Sequence, residues 1–247
     1  MSKSSMFGRH ALAAGLLLLA GAAFAQGPAQ EEPKNLKVLP KNFTRPQVIQ
    51  VMQNFTAALG VGCEYCHVEK QGAPPDFASD DKKEKDRARA MMKIAQDLNA
   101  RLPMDLGESA DELTRVGCIT CHRGVPEPKQ IGEILAKTSK EKGFAAASAQ
   151  YNELKSKYYG AQAYDFSEQG LIATARPLIQ QNRADEAIQF LQLNVQMFPK
   201  SAASYVTMAQ AQQAKKDNAA AISSLEKALA IDPKNGQAQR MLAQLKK

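Results

Sequence analysis

Apolar residues recur at helical spacing along most of the chain, and this pattern predicts an all-α protein. The first clear helix is expected to begin at Thr44, because Thr44 and Gln47 form a capping-box pattern, and to end at Gly60. Its apolar stripe recurs at steps of four, three and four residues and consists of Val48, Met52, Phe55 and Leu59.

A second helix is predicted over about residues 84–101. One of its faces carries Ala88, Met91, Ala95 and Leu98. Met92 points about 100° further round the helix axis. Met104, which lies beside Pro103, is expected in the loop that follows.

The carboxy-terminal part of the chain repeats with the tetratricopeptide period, because Pro199 and Pro233 are 34 residues apart. Two helical-hairpin repeats and a capping helix over residues 236–247 are predicted. The signature positions hold Leu171, Ala175, Ala187, Leu191, Tyr205, Met208, Ala209, Ala221, Leu225 and Ala228. A helix over residues 145–158 is expected to pack under the first repeat, and the lysine-rich segment 136–143 is expected to be a hinge.

The first 25 residues have the pattern of a cleavable secretory signal peptide. Lys3 and Arg9 precede a leucine-rich run, and Ala25 completes an A-x-A cleavage site. The apolar stretch over residues 11–25 has 15 residues, short of the roughly 20 that a membrane-spanning helix needs. We therefore expect a periplasmic protein, with any association with a membrane made through a partner.

The formal net charge of +7 raises the question of nucleic-acid binding. Residues 1–25 carry a net +2, residues 26–130 are neutral, and residues 131–247 carry +5. Because the excess is spread thinly and no basic run is interleaved with aromatic residues, the sequence argues against a nucleic-acid partner.

The motif C-x-x-C-H occurs twice, over residues 63–67 and 118–122, and is the signature of covalent haem c attachment. The two thiols of each motif can add to the two vinyl groups of one porphyrin, and the histidine can ligate the iron on its proximal side. The predicted attachment residues are Cys63, Cys66, Cys118 and Cys121, with His67 and His122 as proximal ligands. Together these motifs use every cysteine of the chain.

Other uses of paired cysteines explain less of this pattern. A thiol redox motif does not require a histidine after both pairs, and two structural disulfides would leave both histidines unexplained. A four-cysteine zinc site normally has about 15–20 residues between its pairs, whereas 51 residues lie between Cys66 and Cys118 here. The sequence therefore favours two covalently bound haem c groups.

The sixth iron ligands are expected to be methionines, because no histidine remains between residue 26 and the carboxy terminus once His67 and His122 are assigned. Spacing alone favours Met52 on the first predicted helix and Met91 on the second, and leaves Met104 open. A thioether ligand favours reduced iron and closes the position that oxygen or peroxide chemistry would need.

These elements resemble the cytochrome c subunit of photosynthetic reaction centres, a four-haem family built of two similar two-haem halves. The resemblance covers about residues 35–130 and is carried by residues 51–52, 62–67, 77–80, 88–99 and 116–124. It implies Met52 and Met91, rather than Met92, as the distal ligands. Only one half is present, so the resemblance implies a two-haem unit. The family's extra histidine ligand has no counterpart, because Ala110 stands about where it would fall.

The sequence thus predicts a signal peptide (1–25), a dihaem cytochrome c domain (26–135), a hinge and linking helix (136–165), and tetratricopeptide repeats with a capping helix (166–247). The expected function is electron transfer between redox partner proteins, and a membrane-bound electron-transfer complex is one candidate partner. The repeats are expected to bind a protein or to dimerise the chain. Two alternatives stay open at this stage, a dihaem peroxidase-like enzyme and a haem-bearing assembly or sensor module.

Overall fold

The computed structural model describes residues 32–247, so the expected signal peptide lies outside the described residues. Within the described part the chain folds into ten α-helices and one small two-stranded sheet, which confirms the all-α prediction. The helices are α1 (Arg45–Leu59), α2 (Lys83–Leu106), α3 (Cys118–His122), α4 (Ile131–Lys142), α5 (Phe144–Tyr158), α6 (Glu168–Gln180), α7 (Ala184–Met197), α8 (Ala202–Ala214), α9 (Asn218–Ile231) and α10 (Gly236–Leu245).

Helix α1 begins and ends where its sequence signals place it. Thr44 is the N-cap, and its backbone N–H donates to the Gln47 side chain at 2.8 Å. Gly60 ends the helix in the left-handed conformation, with φ of 65°, and its N–H donates to the Thr56 carbonyl. Glycine adopts this conformation without the steric cost that a side chain would add.

Helix α2 is longer than its apolar pattern predicts, and the expected loop position of Met104 is wrong. Pro103 lies inside the helix, which continues to Leu106 and ends at Gly107 with φ of 68°. Proline removes one backbone hydrogen bond of the helix interior. The Gly107 N–H donates to the Pro103 carbonyl, so the last turn is closed by a left-handed glycine cap after the proline.

A short antiparallel hairpin, which the sequence pattern did not predict, follows the first C-x-x-C-H motif. Strand β1 (Val68–Lys70) pairs with β2 (Ala73–Asp76), with Val68 opposite Asp76 and Lys70 opposite Ala73. The register shifts between Val68 and Lys70, as at a β-bulge. The hairpin contains two prolines and no strongly alternating pattern, so its residues gave no strand signal.

The hydrophobic core lies almost wholly in residues 131–247. One cluster of buried residues joins α4 to α8, and a second joins α8, α9 and α10. Nine of the ten predicted repeat positions are buried: Leu171, Ala175, Ala187, Leu191, Met208, Ala209, Ala221, Leu225 and Ala228. The tenth, Tyr205, is half-buried and packs against the second cluster. Helices α6–α7 and α8–α9 therefore form the two predicted hairpin repeats, and α10 caps them.

The segment 136–143, expected to be a hinge, is instead part of helix α4 and its glycine cap. Leu135 on this helix has none of its surface exposed. Ser139 donates a hydrogen bond to Glu186 of α7 at 2.7 Å, and Arg183 donates to the Ala136 carbonyl at 3.2 Å. Helix α4 thus packs with the repeats, and the expected domain boundary at residue 135 falls inside it.

The part that holds both motifs has no comparable core. Between residues 32 and 130 the buried residues are Ala58, His67 and Val125. Helix α2, with 24 residues, buries none of its side chains. Helices of this kind normally gain their stability by burying an apolar face, so this part needs a further apolar body to pack against.

Candidate haem-binding site

The first C-x-x-C-H motif folds as a tight turn. Residues Cys63–Tyr65 form a 3₁₀ turn, and the N–H groups of Cys66 and His67 both donate to the Cys63 carbonyl, at 3.3 and 3.0 Å. The turn brings both cysteines and the histidine into five consecutive residues of compact backbone. Burial raises the pKa of the Cys66 thiol, and Glu84 raises that pKa further.

His67 is buried, with 9% of its surface exposed, and its ring packs edge-on against Phe77 at a centroid distance of 5.1 Å. Its Nδ1 atom is also buried and has no hydrogen-bond partner among the described residues. Burial lowers the pKa of His67, and the charges of Lys85, Arg89 and Lys82 lower that pKa further. A neutral imidazole is the form that ligates a metal.

The second motif forms the single-turn helix α3, capped on both sides. The Gly117 N–H donates to the Thr120 hydroxyl at 3.0 Å, and Arg123 ends the turn with φ of 49°. Burial raises the pKa of the Cys118 thiol. All four cysteines are free thiols in the structure, so neither pair forms a disulfide.

His122 is oriented by the backbone that follows it. Its Nδ1 lies 2.9 Å from the Val125 carbonyl oxygen. Because a carbonyl only accepts, Nδ1 donates this hydrogen bond, so Nε2 is the nitrogen of the neutral ring that can ligate a metal. Haem and metal ligands commonly have this arrangement, with one ring nitrogen held by a backbone carbonyl and the other ready to ligate.

Two contacts fix the second motif against the long helices. The Gly124 N–H donates to the Ala58 carbonyl of α1 at 2.8 Å. Gly60 also packs so closely on Gly124 that a side chain at position 60 would clash with the Gly124 carbonyl. On the other side, the Asn99 carboxamide of α2 pairs with the backbone of Val116. Helices α1 and α2 therefore each contact a residue that lies within eight positions of His122 in the sequence.

The first motif is framed by a charged cluster centred on Asp80. The carboxylate accepts hydrogen bonds from Asn35 at 2.9 Å, Lys37 at 2.6 Å and Arg89 at 2.7 Å. Lys85 also lies 3.4 Å from it. These contacts hold the pKa of Asp80 well below its usual range, and they join three chain segments through its carboxylate.

Each candidate methionine lies on a helix. Met52 is half-buried on α1, whereas Met91 on α2 is 48% exposed. Met92 is half-buried, and Met104 is 80% exposed near the end of α2. The assignment of Met52 and Met91 as iron ligands, like that of Cys63, Cys66, Cys118, Cys121, His67 and His122, stays a prediction.

The surface of this part fits a large apolar ligand. Of the nine large hydrophobic side chains exposed in residues 32–247, eight lie between residues 49 and 119: Ile49, Phe77, Met91, Ile94, Leu98, Met104, Leu106 and Ile119. Met91, Ile94 and Leu98 form one stripe at helical spacing along α2. An exposed apolar concentration of this kind marks a ligand-binding or interaction surface, and its position beside both motifs fits a covalently attached porphyrin.

Within residues 32–247 no three His, Cys, Asp or Glu side chains converge to form a metal-ligand group. Helices long and apolar enough to cross a membrane do not occur in these residues either. Asp80 and Asn99 fell inside the sequence elements that resemble the family, but the sequence assigned them no role. Their partners lie at separations of 43 and 17 residues, so no local pattern could have identified them.

The comparisons with known proteins agree with these features. The sequence model of the family described as photosynthetic reaction centre cytochrome C subunit matches residues 20–232. Cytochrome c-554 of Chloroflexus aurantiacus is 34% identical over 109 residues, which are 43% of this chain and 24% of that protein. The photosynthetic reaction center cytochrome c subunit of Thermochromatium tepidum is 35% identical over 111 residues, 44% of this chain and 25% of that protein. The chain thus spans about a quarter of the length of these relatives.

Among solved structures, the second tetratricopeptide domain of human RPAP3, in complex with an HSP70 peptide, covers 47% of this chain and 92% of that domain. It is 16% identical, with a TM-score of 0.34. Because this structural similarity is weak, the repeat assignment rests on the paired helices and the buried alanines of the chain itself.

Proposed function

The chain belongs to the photosynthetic reaction centre cytochrome c subunit family, and from this premise we propose that it binds two haem c groups and carries electrons between redox proteins in the periplasm. The observation that carries the proposal is the exposed apolar stripe of α2 beside two C-x-x-C-H motifs that use every cysteine of the chain. Haem iron held in this way accepts and releases single electrons.

The chain's own residues divide into attachment, ligation and positioning roles in this proposal. The thiols of each motif would hold one haem, with His67 and His122 as proximal ligands and Met52 and Met91 as distal ligands. His122 is already held by the Val125 carbonyl. Burial lowers the pKa of His67, which favours the neutral imidazole that ligates a metal.

Haem stoichiometry tests the proposal directly. The full chain should be produced in a bacterial host that attaches c-type haem, and haem should be counted by pyridine haemochrome spectra and intact mass. We expect two haems per chain, one in the Cys63→Ser/Cys66→Ser variant and one in the Cys118→Ser/Cys121→Ser variant. A wild-type chain exported without covalent haem would refute the proposal.

The methionine ligands are tested by the sulfur-to-iron charge-transfer band in the spectrum of the oxidised protein. Met52→Ala and Met91→Ala should each weaken the band, because each removes one thioether ligand. Met92→Ala and Met104→Ala are matched controls on the same helix as Met91 and should leave the band unchanged. Loss of the band in Met92→Ala rather than Met91→Ala would overturn the assignment of the second ligand.

Closed coordination also separates an electron carrier from a peroxidase-like enzyme. If methionine fills both sixth positions, the reduced wild-type protein should bind carbon monoxide poorly. The Met52→Ala and Met91→Ala variants should each bind it at one haem. Full binding by the wild-type protein would favour the enzyme.

We further propose that the repeats dock a partner protein. The first helices of the repeats and the start of the capping helix form a groove of about 450 Å³, lined by residues that include Arg176 on α6, Gln210 on α8 and Asn235. Arg176 is exposed, and residues 131–247 carry a net +5, so the groove suits a segment with an acidic side chain.

Charge reversal at the groove tests this role. Arg176→Glu should slow electron transfer to membranes that contain the natural partner and leave reduction by a small soluble mediator unchanged. Lys234→Glu makes the same charge change at an exposed position outside the groove lining and should affect neither rate. Equal rates for all three proteins would refute docking through this groove.

A further inference from the structure

The segment that follows strand β2 places an aromatic ring against the first proximal histidine. The rings of Phe77 and His67 meet edge to face, with centroids 5.1 Å apart and planes at 73°, a geometry in which aromatic rings attract. Nδ1 of His67 is buried and has no hydrogen-bond partner among the described residues. Nδ1 of His122, by contrast, lies 2.9 Å from the Val125 carbonyl. The His67 ring is therefore held by packing, whereas the His122 ring is held by a hydrogen bond.

Burial does not fix the position of Phe77, because 51% of its surface is exposed. Its backbone is fixed instead by side chains from other parts of the chain. Lys85 of α2 donates to the carbonyls of Phe77 and Ser79, at 2.9 and 2.6 Å. Asn35 donates to the Ala78 carbonyl between them, at 2.6 Å. Three consecutive carbonyls of a segment without regular secondary structure are thus each anchored by a side chain.

The N–H groups of the same segment are anchored as well. The Asp76 carboxylate accepts hydrogen bonds from the N–H groups of Ala78 and Ser79, at 3.1 and 3.0 Å. The Lys85 side chain is only 12% exposed, and the Asp80 carboxylate, 3.4 Å from its Nζ, balances its charge. Because hydrogen bonds shielded from water are stronger than exposed ones, these contacts form a firm support for residue 77.

The plane of a ligating imidazole has a consequence that can be measured. A bond from one ring nitrogen to a metal fixes that atom and leaves the ring plane free to turn about the bond. Contacts on the flank of the ring then decide which plane it adopts. The plane sets how the imidazole π orbital overlaps the iron d orbitals, so the g values of low-spin ferric haem depend on it.

From this arrangement we propose that Phe77 is a positioning residue for the first iron ligand. Its ring sets the plane of the His67 ring, and Lys85 and Asn35 act through Phe77 by holding its backbone. The inference rests on the proposed binding of two haems. The two sites then orient their proximal ligands by different means, aromatic packing at residues 63–67 and a hydrogen bond at residues 118–122.

Electron paramagnetic resonance of the oxidised, haem-loaded full chain tests the proposal. The spectra of the two single-haem variants, Cys63→Ser/Cys66→Ser and Cys118→Ser/Cys121→Ser, assign the low-spin signals to the sites. Phe77→Ala should shift or broaden only the signal of the first site, because the His67 ring can then turn. An unchanged first-site signal, or equal changes at both sites, would overturn the proposal.

Two further substitutions separate ring packing from general loosening. Phe77→Tyr keeps the ring, and its added hydroxyl has room because Phe77 is half exposed, so the wild-type signal should be retained. Tyr159→Ala removes an aromatic ring that is 72% exposed and lies outside residues 32–130. It should alter neither signal. A first-site signal changed as much by Phe77→Tyr as by Phe77→Ala would contradict positioning by the ring.

A variant of the support keeps the test decisive if Phe77→Ala fails to load haem. Lys85→Met keeps an unbranched side chain and removes the hydrogen bonds to the carbonyls of Phe77 and Ser79, so it should shift or broaden the first-site signal. Lys93→Met makes the same change at an exposed position on α2 and should leave both signals unchanged. Equal spectra for the two lysine variants would refute the supporting role.

The haem count distinguishes failure of this inference from failure of the proposed function. Fewer than two covalent haems in the wild-type protein would refute the two-haem function itself. Two haems whose first-site signal does not respond to Phe77→Ala would refute only the positioning role of Phe77. A response confined to the first site, and absent from Phe77→Tyr, would support it.

Discussion

The side chain of Asn99 forms a closed pair with the backbone of Val116: Nδ2 donates to the Val116 carbonyl and the Val116 N–H donates to Oδ1, both at 2.8 Å. Nδ2 also donates to the Ala95 carbonyl one turn earlier in α2, at 2.8 Å. The pair fixes α2 to the segment two residues before Cys118. It therefore sets where the apolar stripe of α2 lies relative to the second motif.

Replacing Asn99 should loosen this attachment. Asn99→Ala leaves the half-buried N–H and carbonyl of Val116 without their partners, and we expect a loss of about 1–3 kcal/mol of unfolding free energy. The measurement is denaturant unfolding of the haem-loaded chain. Asn152→Ala on α5 is the control, because Asn152 is exposed, and it should change stability by less than about 0.5 kcal/mol. Equal effects of the two variants would contradict a clamping role.

Gly60 and Gly107 separate the cost of backbone conformation from the cost of close packing. Both end a helix with nearly the same positive φ, 65° and 68°. A side chain on Gly60 would clash with the Gly124 carbonyl, whereas one on Gly107 would meet nothing within 4 Å. Gly107→Ala should therefore lower the unfolding free energy by about 1–2 kcal/mol, which is the steric cost of a left-handed backbone conformation alone.

Gly60→Ala should cost clearly more, because the clash with Gly124 would push α1 away from the second motif and disturb the turn after His122. Thermal unfolding of both variants measures the difference, and the spectrum of the haem at the second motif reports the displacement. If Gly60→Ala were no more destabilising than Gly107→Ala, the contact between α1 and Gly124 would not be a structural constraint.

The stability of the folded protein at acidic pH should depend on the ionisation of Asp76. Its hydrogen bond with Lys70, together with the N–H groups of Ser79 and Ala78, lowers the pKa of Asp76 to about 2. Because the folded-state pKa is lowered, the stabilisation is fully present above the ordinary value of 3.8 and is lost as the pH falls toward 2. The melting temperature of the wild-type chain should fall over this window.

The matched variant is Asp76→Asn, which cannot ionise. Its melting temperature should be below that of the wild-type protein at about pH 5, and the two curves should converge toward about pH 2. Asp97→Asn, at an exposed position on α2, should run parallel to the wild-type curve. Parallel curves for Asp76→Asn as well would show that Asp76 contributes no pH-dependent stability.

Features that depend on local sequence were predictable, and the repeats show why. Alanine at 175, 187, 209, 221 and 228 recurs where only a small side chain allows two helices to cross, and these positions are buried as expected. Thr44, Gln47 and Gly60 likewise fixed the ends of α1, because capping is a matter of a few neighbouring residues. The two C-x-x-C-H motifs are local patterns in the same sense, and haem attachment to them stays a prediction.

Features that depend on distant partners were not predictable. The lysines of 136–143 are hydrophilic, so the segment had the composition of a hinge. However, Ser139 finds a partner on α7 some 50 residues later, and the neighbouring Leu135 belongs to the core cluster of the repeats. Asp80 gains its role from Asn35 and Lys37, and Asn99 from Val116. Pro103 suggested the end of α2, yet one further turn forms because Gly107 supplies a cap.

The packing of α4 on the repeats gives the last prediction. Leu135 is completely buried, so Leu135→Ala should remove about 2–5 kcal/mol from the unfolding free energy. Lys137→Ala, an exposed position on the same helix, should have little effect. A truly flexible hinge would tolerate both changes equally.

Limited trypsin digestion followed by mass spectrometry gives a second readout, because Lys137, Lys140 and Lys142 are cleavage sites within α4. The wild-type chain should resist cleavage there and Leu135→Ala should be cut faster, whereas rapid cleavage of the wild-type chain at these lysines would restore the hinge.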